Sequence, residues 1–236
     1  MSMKYARPLI RAVLIRRYKR FLADVTLPDG TEATAHCANP GAMTGLAQAG
    51  TVVWLEPNDD PKRKLRYSWK LAEIGDALVG IDTALPNKVV GDALRVQAVP
   101  EVAAYTNVRA EVKYGEASRV DFLLTQQGLP DCYFEIKSAN LSRSAGLVEF
   151  PDTVTKRGAK HMDELAAMVA AGHRAVVLYL VQRTDSTAFA VADDIDPAYS
   201  AAFQAAQAAG VEALCYRAAL TLEGARFGEP LPIVSR

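Results

Sequence analysis

From Asn107 to Ser138 three strand-like runs follow one another closely, "NVRAEVKY", "RVDFLLT" and "CYFEIKS", joined by "GEAS" and "QQGLPD". Before them, "DTALPNKVVGDALRVQAV" has helical spacing, with Val89, Val90, Leu94 and Val96 as its apolar stripe. After them, a helical run from about Thr153 to Ala171 ends at Gly172, where a C-terminal cap belongs. Next come the apolar strand "AVVLYLVQR", a helix "DPAYSAAFQAAQAAG" ended by Gly210, and a last strand "VEALCYRAAL". Helix, three strands, helix, strand, helix, strand predicts an α/β domain with a mixed sheet over residues 82–236.

Residues 1–81 have a different texture. "PLIRAVLIRRYKRFLADVTL" is rich in β-branched and apolar residues, and "PDG" marks a turn into "TEATAHCA". "NPGAMTGLAQAG" reads as a turn with one helical turn, and "TVVWLEP" and "RKLRYSWKLAEI" are strands separated by the charged loop "NDDPKRK". About five strands with one short helix suit a small all-β barrel, of which the oligonucleotide-binding (OB) barrel is the leading example. Trp54 and Trp69 are expected in barrel packing, and one of Tyr18 and Phe21 in its core. Cys37 is expected as a small buried residue before a turn at Asn39-Pro40-Gly41.

The net charge is zero, yet residues 1–70 hold twelve Lys/Arg against six Asp/Glu, so the first seventy residues carry +6 and the rest −6. A basic half joined to an acidic one points either to a polyanionic partner for the basic half or to a solvated strand face. "RRYKRF" interleaves Arg16, Arg17, Lys19 and Arg20 with aromatics, the pattern of single-strand-binding barrels. Lys62, Arg63 and Lys64 add a second basic cluster. Lys156, Arg157 and Lys160 add a third, at a helix start where cations oppose the dipole unless an anion binds. His161 on that helix face could serve as a general base, but a lone histidine is more often a surface or packing residue.

The longest apolar run, "AVVLYLV", is far too short to span a bilayer. The basic N-terminus lacks a small-residue cleavage site, and arginines interrupt its apolar residues. Cys37, Cys132 and Cys215 are widely spaced and without CxxC pairing, which predicts a reducing, cytoplasmic setting and no structural zinc. No membrane partner is expected.

Strand alternation puts Tyr133, Glu135 and Lys137 on one face of "CYFEIKS", with Phe134 and Ile136 on the other. Asp121 lies in the otherwise apolar "RVDFLLT", and a turn brings it towards Glu135. A hairpin centred near Glu116 sets Glu111 opposite Asp121. Converging carboxylates repel unless one is protonated or a cation joins them. Mg2+ or Mn2+ suits one or two carboxylates plus waters and phosphate oxygens. Lys137 would then hold a water or stabilise charge on the phosphate. Catalytic roles are therefore expected at Asp121, Glu135, Lys137 and Glu111, with Asp121 and Glu135 as metal ligands. The competing reading is a solvated hairpin face in which Asp121 pairs with Arg119 or Lys137.

"RVDFLL" and "CYFEIKS", in this order of elements, resemble the PD-(D/E)xK nuclease superfamily. Over nearly its whole length the chain is more closely similar to the bacterial and archaeal sugar fermentation stimulation protein A family. The matching stretches are "CANPGAM", "EVKYGEASRVDFLL", "CYFEIKS", "FPDTVTKRGAKH" and "AVVLYLVQR". The resemblance implies an N-terminal OB-type barrel, a C-terminal nuclease-like αβββαβ core, DNA binding and a link to sugar (maltose) metabolism. It places the metal-binding acids on Asp121 and Glu135 and the superfamily lysine on Lys137. The literal "PD" is absent, since Val120 precedes Asp121. A non-enzymatic DNA-binding regulator with a nuclease fold is the alternative. A carbohydrate enzyme ranks last, because no aromatic-rich sugar cleft is evident.

Overall fold

The structure is a computed structural model describing residues 3–115 and 118–235. The predicted hairpin centre at Glu116 falls outside the described residues. The N-terminal strand β1 (Met3–Lys4) precedes β2 (Ile10–Tyr18), β3 (Leu22–Thr26), β4 (Glu32–Cys37), β5 (Val52–Pro57), β6 (Tyr67–Ile74) and β7 (Ala77–Gly80). Strands β2 to β7 form a sheet in the order β4-β3-β2-β5-β6-β7, and a parallel β4–β6 pairing closes five of them into a barrel. Period-two alternation fills the interior with Ala12, Leu14, Ala23, Val25, Ala35, Cys37, Val53, Leu55 and Trp69.

Three details of the barrel differ from expectation. The segment 38–51 forms turns and no helical turn, because Pro40, three glycines and a left-handed Met43 (φ 52°) interrupt it. Its Met43 and Leu46 still join the barrel core. Trp54 alternates outward, donates to Glu73 Oε1 at 2.8 Å and packs on the core of the second domain, whereas Trp69 is fully buried. Neither Tyr18 nor Phe21 enters the core. The chain reverses at Lys19–Phe21, which leaves Tyr18 half-buried and Phe21 exposed.

The second part begins with α1 (Leu85–Arg95) and continues through β8 (Asn107–Tyr114), β9 (Ser118–Thr125), β10 (Cys132–Ala139), β11 (Leu141–Ser144) and β12 (Leu147–Phe150). Then follow α2 (Lys156–Ala170), β13 (Arg174–Val181), β14 (Ala188–Val191), α3 (Pro197–Ala208), β15 (Glu212–Leu220) and β16 (Gly224–Pro230). Seven strands form one sheet, β1-β16-β15-β13-β10-β9-β8, parallel across β10–β13–β15 and antiparallel at both sides. The expected αβββαβ order is present. The small sheet β11-β12-β14 was not anticipated, since four-residue strands carry too little alternation to read.

Central strands bury both faces. Phe134, Ile136, Val176, Leu178 and Leu180 pack with α1 on one side. Ala139, Val177, Tyr179 and Val181 pack with α2 and α3 on the other. Val89, Val90 and Leu94 serve the α1 stripe as expected, but Val96 is exposed, because the helix ends at Arg95 and its stripe ends with it. Thr155 caps α2 by accepting from the Gly158 N–H at 3.0 Å, and Asp196 caps α3 through the Tyr199 N–H at 3.0 Å. Among the described residues no helix is long and apolar enough to cross a membrane. All three cysteines are free and buried.

The two parts meet closely. Lys70 of β6 joins Asp82, just ahead of α1, at 2.9 Å, and Met43 donates from its N–H to Asp152 Oδ2 at 3.4 Å. Gly41 lets the loop approach closely there, since a Cβ would lie 2.6 Å from Asp152 Oδ2 and displace that carboxylate.

Candidate functional site

The β9–β10 ladder pairs Leu124 with Cys132, Leu123 with Tyr133 and Phe122 with Phe134, and ends there. Asp121 is the next residue, and its carboxylate takes over the role of the missing ladder bond: Oδ2 accepts the Ile136 N–H at 2.7 Å. Oδ1 accepts from Asn87 Nδ2 of α1, also at 2.7 Å. An aspartate in an apolar strand thus has a structural use. It does not pair with Arg119 or contact Lys137 directly.

Glu135 is 3% exposed. Its Oε1 accepts from Lys137 Nζ at 2.8 Å and lies against His161 Nδ1 of α2. Lys137 Nζ is also 3.3 Å from His161 Nδ1. Arg157 Nε donates to His161 Nε2 at 3.3 Å, so Nε2 is an acceptor and the ring proton sits on Nδ1, facing Glu135. Glu135 Oε2 is buried without any hydrogen-bond partner. The site therefore keeps one bare carboxylate oxygen, a feature that calls for an explanation in a folded protein.

The two carboxyls differ electrically. Burial and the neighbouring Glu135 push Asp121 up to about 6. Burial acts in the same direction on Glu135, but the His161 hydrogen bond and the Lys137 ammonium outweigh it and hold that carboxyl below its ordinary value.

Of the readings open for His161, only the surface position is overturned: it is 4% exposed and touches both Glu135 and Lys137. Its place depends on the packing of α2 against the sheet, which strand periodicity does not report. Asn87 was missed for the same reason, lying on a helix remote in sequence. A polar residue in the first turn of an apolar-striped helix was the only available signal.

The β8–β9 register sets Ala110 opposite Phe122 and Val112 opposite Val120, which flanks the expected Glu111–Asp121 alignment. Glu111 itself is left-handed (φ 54°) and exposed. It lines a cleft of about 510 Å³ together with Ser118, Arg119, Lys156, Arg157, Lys160 and His161. Glu111 thus borders the basic cleft, and no contact joins it to Asp121. Lys160 also reaches Glu164 at 3.5 Å.

The remaining basic residues separate. Lys62, Arg63 and Lys64 lie exposed on the β5–β6 loop. Arg16 pairs with Asp24 at 2.8 Å, and Lys19 and Arg20 form the exposed tip of the β2–β3 hairpin. Arg17 is committed internally, donating to the carbonyls of Arg20, Asn39 and Gly41 at 3.0, 2.7 and 3.0 Å.

The model of the SfsA N-terminal OB domain matches residues 15–81, and that of the sugar fermentation stimulation protein RE domain matches residues 84–224. The chain belongs to the sugar fermentation stimulation protein family. A sugar fermentation stimulation protein homologue of Dinoroseobacter shibae is 58% identical over 233 residues, covering 98% of this chain and 96% of the relative. One from Ruegeria sp. is 59% identical over 231 residues, covering 98% and 100%. Among solved structures, that of Pyrococcus furiosus SfsA in complex with Ca2+ superposes with a TM-score of 0.88 at 25% identity, covering 99% of each chain. The OB-type barrel and the mixed-sheet domain are thus features shared with the family.

Proposed function

We propose that the chain is a divalent-metal-dependent phosphodiesterase acting on nucleic acid, with Asp121 and Glu135 as the metal's protein ligands. The observation that carries this reading is the bare, buried Oε2 of Glu135 beside an Asp121 whose carboxyl is pushed up to about 6. A buried Glu135 and a half-buried Asp121, with one lysine between them, fit a cation that takes one or two carboxylates and completes its shell with water and phosphate oxygens. Two carboxylates leave most of a cation's shell to water and phosphate oxygens, which suits Mg2+ or Mn2+. The Ca2+ complex of the Pyrococcus furiosus protein supports a divalent cation.

When bound, such an ion would polarise a phosphoryl oxygen and lower the pKa of a coordinated water. The chain's own residues do the rest. Lys137 holds its ammonium beside Glu135, where it stabilises charge developing on a phosphate. His161 and Lys137 together occupy Oε1, which leaves Oε2 as the open oxygen. Arg119, Lys156, Arg157 and Lys160 line the adjoining cleft and suit a phosphate backbone.

A second reading has its own observation. Lys137 already neutralises Glu135, and the His161 N–H hydrogen-bonds it, without a metal, as a non-enzymatic DNA-binding regulator of sugar (maltose) metabolism with this fold would allow. Incubation of single- and double-stranded DNA and RNA with Mg2+ or Mn2+ separates the two. Phosphodiester cleavage lost in Asp121→Ala and Lys137→Ala is expected. Retarded DNA in gels with no cleavage under either metal contradicts the hydrolytic reading and favours the regulator.

A further inference from the structure

The β2–β3 hairpin turns through Lys19 and Arg20, both left-handed, with φ 49° and 64°. Asn and Gly are the residues that suit such positions, so two adjacent long side chains there are strained. Strain of this kind persists only where the surroundings hold it. Here the holder is Arg17, whose Nη2 alone donates to the carbonyls of Arg20, Asn39 and Gly41. The result is a fixed tip that projects Lys19 and Arg20 and leaves Phe21 47% exposed. Among the described residues no carboxylate pairs with Lys19 or Arg20.

The surface beside the tip continues the theme. The register sets Tyr18, Leu22 and His36 side by side across three strands, and the Arg16 guanidinium lies 4.9 Å from the Tyr18 ring centroid. The loop that Arg17 grips is also a cleft wall. Asn39, Pro40 and Gly41 line one side of a cleft of about 230 Å³, with Lys137, Ser138 and Asp152 among its other lining residues. Arg17 thus ties the hairpin tip to the loop, and the loop shares a cleft with Lys137.

We propose that the hairpin tip is a single-strand grip: an unpaired base stacks on Phe21, Lys19 and Arg20 contact the flanking phosphates, and the strand runs past the Asn39–Gly41 loop towards Lys137. This rests on the phosphodiesterase reading and names its substrate as nucleic acid with a single-stranded segment. A duplex hides its base faces and has no use for an exposed aromatic ring, whereas an unpaired strand offers one face per nucleotide.

Fluorescence anisotropy with a labelled single-stranded DNA and the matching blunt duplex, both in EDTA, tests the grip without metal or cleavage. Phe21→Ala is expected to weaken single-strand binding about tenfold and duplex binding by less than about twofold. Phe21→Trp should restore the single-strand affinity. The double substitution Lys19→Asn with Arg20→Gly suits the turn, so it should raise the Tm while lowering single-strand affinity. Equal wild-type affinity for single strand and duplex overturns the grip, as does Phe21→Ala with unchanged single-strand binding. Failure of cleavage with the Phe21 effect intact would count against the hydrolytic reading alone.

Discussion

Lys70 and Lys137 are each partly shielded lysines set among two carboxylates, yet their surroundings are resolved differently. Lys70 Nζ lies 2.9 Å from Asp82 and 3.5 Å from Glu56. Asp82 loses hydration, but the Lys70 hydrogen bond and charge, with the Ala84 N–H and Lys88, together outweigh this and hold its carboxyl below the ordinary range. Glu56 has a further donor in the Ala6 N–H at 2.6 Å. Lys137 reaches only Glu135 directly, acts on Asp121 at longer range, and leaves Asp121 raised and one Glu135 oxygen bare. The first cluster is a closed lock between barrel and α/β domain. The second leaves one carboxylate without a direct cation and one carboxylate oxygen without a donor, which marks it as a place for a ligand.

The largest effect expected is at the open cluster. Lys137→Ala removes the cation beside buried Glu135 and so lowers the Tm, but it should also lower cleavage per folded molecule by about 10²-fold or more, as a nuclease assay beside a thermal melt would show. Cleavage per folded molecule that stays at the wild-type level would make Lys137 a second lock. At the closed cluster the balance reverses. Lys70→Met leaves two partly buried carboxylates without their cation and should destabilise by about 2 kcal/mol, read from urea unfolding, with cleavage per folded molecule unchanged.

Two subtler contrasts sharpen the comparison. In metal-free buffer at neutral pH, Asp121→Asn removes a charge the fold disfavours and should be neutral or stabilising, whereas Asp82→Asn should destabilise. Equal signs in urea unfolding would erase the distinction. The smallest effect concerns pH. Asp82 has a depressed carboxyl, so its contribution is present above the unfolded value of 3.8 and lost as pH falls through the folded one. The stability gap between wild type and Lys70→Met should therefore narrow below about pH 4.

The same contrast explains what could be read in advance. Glu135 and Lys137 share a face because strands alternate, and Asp121 follows from the register of adjacent strands, so both were legible locally. Lys70, Asp82 and Glu56 carried no such signal, because their meeting depends on how the barrel packs on α1. His161 and Asn87 belong to helices lying on opposite faces of the sheet, and only tertiary packing brings each to a carboxylate. Arg17 looked like a phosphate contact in a basic run. It proved to be an internal brace, since a hairpin turn at Lys19 folds its guanidinium back onto three carbonyls.

Direct titration of Mn2+ into the protein without nucleic acid, followed by the loss of the free-ion EPR signal, bears most closely on the central claim. Binding is expected in the wild type and in Lys70→Met, and strongly weakened in Glu135→Gln and Asp121→Asn. Wild-type binding that survives unchanged in the Glu135→Gln, Asp121→Asn double variant would place the cation elsewhere and contradict the site.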